Sequence, residues 1–223
     1  MLMKIPEISK LKNPLSKSCS MIGKDEYFNA AVLVPIITIK DSYHLLFQKR
    51  AVNIRQGGEI CFPGGEFDKK SDKNIIDTAL RETSEELGIP ASKISVIGEM
   101  NFHVAPFGIT VDPVLAFLDI SIEEIKIDKN EVESIFTVPL EFFIKNEPEV
   151  YYSRTLIEPY YFDETGKKIE LLPVEKLGLP SIYGEPREGR KFKVYVFNFN
   201  GYKIWGITAV IIKELIRIIK AEI

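Results

Sequence analysis

Three carboxylates crowd one short stretch of this chain, Arg81-Glu82-Thr83-Ser84-Glu85-Glu86-Leu87-Gly88-Ile89. If the stretch is helical, Glu82, Glu85 and Glu86 stand at i, i+3 and i+4 and share one face within about one turn. Like charges at that spacing repel by roughly a few tenths of a kcal/mol per pair, so the face needs a counter-charge. Arg81 could be one. A hard divalent cation such as Mg²⁺ or Mn²⁺, which prefers oxygen ligands, would be a stronger one. Taken alone, such a triplet is more often a solvated acidic face, and it is the surroundings that argue for chemistry.

A helix from about Asn74 to Leu87 would carry these groups, with Ser71 or Asp72 as its N-cap. Its other side offers Ile75, Ile76, Ala79, Leu80, Thr83 and Leu87 to a core, and Gly88 stands where a left-handed C-terminal residue belongs. Upstream, the turn Phe62-Pro63-Gly64-Gly65-Glu66 can bring backbone close to a ligand or to the acidic face. Ala30 to Ile39 and Tyr43 to Lys49 are strand-like and pair as a hairpin across Lys40-Asp41-Ser42. Glu59 to Phe62, Ile94 to Met100 and Ile109 to Leu118 read as further strands. Asn130 to Phe136 enters another short element, and a helix is expected over Pro139 to Lys145.

Near the end, Lys193 to Phe199 and Tyr202 to Trp205 flank Asn200-Gly201, a strong hairpin signal, and Ile207 to Ile223 reads as a terminal helix. Strands before, between and after helices predict an α+β fold, an α/β/α sandwich, rather than repeated βαβ units. One domain is expected over residues 1–223, with 1–26 as an N-terminal extension holding a short helix. Residues 151–190, rich in Pro, Gly and charge, are expected to form an irregular surface insertion with a hairpin near Glu164-Thr165-Gly166.

The chain has 223 residues, 45% hydrophobic and 27% charged, with a formal net charge of -3. That balance gives no general attraction to nucleic acid or to anionic membranes. No segment approaches the ~20 apolar residues of a membrane span. Cys19 and Cys61 have neither the spacing of a zinc site nor the number of a disulfide scaffold, so a cytoplasmic location is expected. Ser84 and Cys61 lack a triad-like partner, which argues against covalent catalysis. His44 and His103 read as hydrogen-bonded structural residues, although His103 could reach a ligand.

The Gly turn and acidic helix together resemble the Nudix box, G-x5-E-x7-R-E-U-x-E-E-x-G-U with U apolar. Arg81, Glu82, Glu85, Glu86, Gly88 and Ile89 match its second half, with Thr83 at a usually apolar position. The first half departs from it: Lys73 stands where the isolated Glu is expected, and Gly65 lies two residues too far from Arg81. An insertion in Asp68-Lys69-Lys70-Ser71-Asp72 accounts for the spacing but not for the Glu. Upstream, Leu45 to Arg50 and Ile54 to Gly65 resemble the added signature of the coenzyme A pyrophosphatase branch, L-L-T-x-R-S-x2-L-R-x-H-x-G-E-V-x-F-P-G-G. Arg50, Arg55, Gly58, Glu59 and Phe62 to Gly65 align with it, although the chain is one residue shorter between Arg55 and Gly58 and has no histidine there. Asn130-Glu131-Val132-Glu133 and Trp205-Gly206-Ile207-Thr208-Ala209 are similar to the same branch.

The resemblance implies a Nudix fold, a mixed sheet between helices, and metal-assisted hydrolysis of a nucleoside diphosphate linked to another moiety. It assigns Mg²⁺ or Mn²⁺ to Glu82, Glu85 and Glu86, and the general base to Glu82 or, second, Glu131. Arg50, Arg55, Gly64 and Gly65 would bind the substrate. Coenzyme A or a derivative, cleaved to 3′,5′-ADP and 4′-phosphopantetheine, is the expected substrate. ADP-ribose, nucleotide sugars and other nucleotides are alternatives, as is a catalytically silent domain serving binding or regulation. No nucleic-acid or membrane partner is expected, and a homodimer is allowed.

Overall fold

A computed structural model describes residues 21–222. The short helix expected within 1–26 falls mostly outside them, and Lys24–Glu26 form a single 3₁₀ turn. Strand β1 spans Phe28–Ile39, β2 Ser42–Arg50, β3 Ile60–Cys61 and β4 Gly64–Glu66, followed by helix α1, Ile75–Leu87. Next come β5 (Ile94–Glu99), β6 (His103–Ala105), β7 (Ile109–Leu118), β8 (Val132–Pro139) and α2 (Leu140–Lys145). The chain continues through β9 (Glu149–Ile157), β10 (Tyr160–Phe162), β11 (Lys168–Glu170) and α3 (Val174–Leu177). It ends with β12 (Arg187–Phe199), β13 (Tyr202–Trp205) and α4 (Gly206–Glu222).

Strands β1 to β8 form one mixed sheet with β1 and β7 parallel, and its other pairings are antiparallel. Alternation along the strands divides the core in two. Ala31, Leu33 and Ile37 of β1 and Leu46 of β2 pack with Ala79 and Leu87 of α1. Val34, Leu45 and Phe47 face the other way, onto Phe143 of α2 and Ile211, Ile212 and Leu215 of α4. The sheet therefore lies between helices, as the sequence predicts.

The sheet also contains a wedge. β1 and β2 pair only from Ile36 to Ile39 against Leu45 to Ser42, and then diverge. β3 enters the gap along β2, with Gln48 opposite Cys61, and β4 leaves it along β1, with Val32 opposite Gly64. Two short strands thus carry the Gly turn beneath α1.

Helix α1 begins at Asn74, whose side chain accepts the Asp77 N–H. The expected caps were Ser71 and Asp72, but Asp72 is engaged elsewhere. Thr83, at a position usually apolar, is buried and donates its hydroxyl to the Ala79 carbonyl at 2.7 Å, which satisfies its polarity inside the core. The helix ends on Gly88, at φ 63°, as its spacing predicts.

Residues 151–190 are more regular than their composition suggests. β9 pairs with β12, β12 begins at Arg187 rather than Lys193, and β10 and β11 form the hairpin around Gly166. Almost every residue of β9 is exposed, so no in-and-out alternation marks it as a strand. Among the described residues no helix is long and apolar enough to cross a membrane.

At Gly88 an added Cβ would lie 2.6 Å from the Lys126 carbonyl oxygen, at a φ that side chains also disfavour. Gly88→Ala is expected to lower stability by about 2 kcal/mol, read by urea unfolding followed by circular dichroism.

Candidate functional site

The wedge sets β4 against the acidic face of α1, and the backbone makes the closest contacts. Gly64 donates its N–H to Glu86 Oε2 at 2.9 Å. A Cβ on Gly65 would meet the Glu82 carboxylate at 2.4 to 2.6 Å, so only glycine leaves Glu82 its present position. From β2, Arg50 brings Nη1 to 3.9 Å from Glu86 Oε1. Leu46, Gln48 and Arg50 alternate toward the α1 side of the sheet, which is why Arg50 reaches this face and Lys49 does not.

The counter-charge is Arg81. Its Nε and Nη2 each donate to Asp72, at 2.9 Å, and Nη1 donates to Glu82 at 2.7 Å and to Glu85 at 3.0 Å. Asp72 is buried and also accepts from Thr78 Oγ1 and from the Asp68 N–H. The guanidinium holds its carboxyl well below the usual carboxylate range.

Asp72 is a member of this cluster that motif spacing misses. It stands one residue farther from Gly65 and one farther from Arg81 than the box Glu would. The extra residues form the Asp68–Asp72 turn, closed by the Asp72 N–H bonding to the Asp68 carbonyl. Lys73, which takes the counted position, uses only its backbone here, donating to Asp77 at 3.0 Å. The available signal was a second acid beside the gap, and only geometry shows which acid turns inward.

Burial differentiates the three helix carboxylates. Glu86 is 2% exposed, and desolvation pushes its pKa up to about 7 against the opposing Gly64 N–H, Gln48 amide and Arg50 charge. Glu82 is raised by burial as well, with Arg81 opposing and the charges of Glu85 and Glu131 adding to the rise. Glu85 is 60% exposed at its side chain and faces solvent.

Glu131 thus stands close enough for its field to act on Glu82, and its carbonyl anchors the Ala51 N–H. Arg55 is not drawn into the cluster: its guanidinium lies over the Phe28 ring, 6.0 Å from the centroid, and its carbonyl accepts from Arg50 Nε. Sequence reading also misses Gln48, fully buried between Cys61 and the acidic face, whose Oε1 has no partner. Burial pushes the Cys61 thiol up to about 11, so it holds its proton at neutral pH. His103 lies in β6 opposite Val111, and burial lowers its pKa.

Among the described residues no three His, Cys, Asp or Glu side chains converge as a ready-made metal cage. The donor set is nevertheless all oxygen, which suits a hard divalent cation. Glu82 and Glu85 already share one positive centre, the Nη1 group of Arg81. Glu82, Glu85 and Glu86 could therefore hold such an ion once Arg81 yields its place between the first two.

A NUDIX domain family model matches residues 28–158. The chain is 32% identical over 192 residues to the uncharacterized Nudix hydrolase NudL of Photorhabdus laumondii, covering 86% of this chain and 84% of that protein. It is 25% identical over 222 residues to Nudix hydrolase 3 of Caenorhabditis elegans, covering 94% and 81%. With the peroxisomal coenzyme A diphosphatase of Mus musculus it shares 34% identity over 129 residues, 57% of this chain and 53% of that one.

Two outcomes follow from this geometry. Asp72→Asn leaves Arg81 with two carboxylate partners rather than three, and should cost about 2 kcal/mol in urea unfolding, whereas Lys73→Glu should cost less than ~0.5 kcal/mol. For Glu86 the folded pKa of about 7 lies above the ordinary 4.5, so the folded state holds this proton more tightly than the unfolded chain does. Its contribution to stability is fully present below 4.5 and is lost as pH rises through about 7. In metal-free buffer at pH 8, Glu86→Gln should raise the melting temperature by about 4 °C, and the gain should shrink toward pH 5.

Proposed function

Because the chain belongs to the Nudix family of hydrolases, we propose that its substrate is coenzyme A or a derivative, cleaved at the pyrophosphate to 3′,5′-ADP and 4′-phosphopantetheine. The observation that carries this reading is Arg50, which stands in the coenzyme A-like stretch and meets buried Glu86 of the acidic helix. A cation-binding carboxylate face and a guanidinium fork, joined across a glycine turn, suit a linkage flanked by negative oxygens. The name of the Mus musculus relative, a coenzyme A diphosphatase, supports the same substrate.

Members of this family generally use a divalent metal ion, and here Mg²⁺ or Mn²⁺ would be held by Glu82, Glu85 and Glu86. When bound, the ion would neutralise pyrophosphate oxygens and acidify a water. Gly64 orients Glu86 for that role through its N–H, and Gly65 leaves Glu82 its room. Glu82 is the first candidate for the base, because burial raises its affinity for a proton. Glu131, whose charge acts on Glu82, is the second. Arg50 would bind the departing or retained phosphate, and Arg55, at Phe28, would act farther along the substrate.

The grounds for a catalytically silent domain are Lys73 in place of the box Glu and the displaced Gly65. Against the first, Asp72 supplies a carboxylate partner to Arg81, and against the second, Gly65 still lies beside the Glu82 carboxylate. The enzyme would work in the cytoplasm, alone or as a homodimer.

The test offers purified protein with Mg²⁺ or Mn²⁺ coenzyme A, ADP-ribose and a set of nucleotide sugars, with products separated by mass. Coenzyme A should show the highest kcat/KM, and Glu85→Gln should lower kcat by about 100-fold or more. Preference for ADP-ribose or a nucleotide sugar would replace the coenzyme A reading, and turnover indifferent to Glu85→Gln would remove the metal assignment.

A further inference from the structure

Four aromatic rings run in series through the side of the sheet that faces α4. Phe62 stacks on Phe47 with centroids 4.9 Å apart, and Phe47 on Phe136 at 5.5 Å. Phe136 in turn stacks on Tyr202 at 3.9 Å, with the planes 6° apart. Tyr202 ends the series at the surface, 38% exposed. There it lines a cavity of about 630 Å³ whose walls include Trp205, Lys203, Lys49, Glu59 and the Gly57-Gly58 turn.

We propose that this cavity seats the base and a phosphate monoester of a purine nucleotide, the end of the substrate remote from the bond that breaks. The inference rests on the pyrophosphatase reading above. A planar base extends a stack that already terminates in an exposed ring, and Trp205, 45% exposed, offers a second aromatic surface. Lys203 makes no ion pair among the described residues, whereas Lys49 is held by Glu133 at 2.7 Å. Lys203 is thus the cation available to a phosphate, and Glu59 is an acceptor for a ribose hydroxyl or an exocyclic amine.

The cavity lies on the opposite face of β2 and β3 from the acidic helix. Lys49 and Ile60 line it, while their chain neighbours Arg50 and Cys61 lie in the field of Glu86 on the other side of the same strands. Successive strand residues project to opposite faces, so one strand's thickness separates the two places. Under this proposal a substrate with its pyrophosphate at Arg50 passes the 51–58 loop to set its base in the cavity.

Trp205 is the single tryptophan of the chain, so its fluorescence reports on this cavity without any turnover. In metal-free buffer, adenosine 3′,5′-bisphosphate should quench it saturably, and inorganic phosphate should quench it little. In turnover, Trp205→Ala and Lys203→Glu should each raise KM for coenzyme A about tenfold and leave kcat within about twofold, with Trp205→Phe restoring most of the affinity. For dephospho-coenzyme A, which lacks the monoester, Lys203→Glu should leave KM unchanged. Melting curves identify any variant that fails to fold, and the quenching of the intact protein stands independently of them. Absence of quenching, together with an unchanged KM in folded Lys203→Glu, would overturn the cavity assignment while the pyrophosphatase reading stands. Saturable quenching with no turnover of coenzyme A would sink that substrate and leave the cavity as a nucleotide site.

Discussion

The site depends on one guanidinium. Arg81 bonds Asp72 through two nitrogens and Glu82 and Glu85 through the third, so a single planar cation organises three carboxylates. Without it, negative charge would be stacked along a helix face that also carries the buried Glu86. A guanidinium spreads four bonds to three carboxylates over three nitrogens, and the single ammonium nitrogen of a lysine could not reproduce that geometry. Burial still leaves Glu86 short of compensation, which raises its affinity for a proton.

The divergence of β1 and β2 gives that helix a floor. Two strands that stayed paired would leave no gap for β3 and β4, and the Gly64 N–H could not reach Glu86. Both glycines of the turn are demanded by close approach: a Cβ on Gly64 would lie 2.3 Å from the Ala31 carbonyl oxygen, and one on Gly65 would displace Glu82. The acidic face and the divergence of β1 from β2 are therefore coupled through two residues without side chains. Arg50 joins them because its position on β2 shares the parity of Leu46 and Gln48.

Much of this was legible in one dimension. The extent of α1, its C-terminal Gly88, the β12–β13 hairpin at Asn200-Gly201 and the terminal helix all follow from period and turn chemistry, which act over a few neighbouring residues. β9 was not legible, because a strand exposed on both sides has no alternation to read. Nor was Gln48, whose burial comes from strands β3 and β8 laid beside it.

By itself, the sequence determined the family and the three carboxylates at helical spacing, since a helix sets i, i+3 and i+4 on one face whatever surrounds it. Tertiary structure decided which acid answers Arg81. Counting residues leads to Lys73, but the turn from Asp68 to Asp72 carries the chain so that Asp72 meets the guanidinium and Lys73 does not. Tertiary structure likewise separated Arg50, at Glu86, from Arg55, over Phe28. Both outcomes have the same cause: the direction of a side chain leaving a loop is set by packing and hydrogen bonds to distant segments, and spacing along the chain does not encode it.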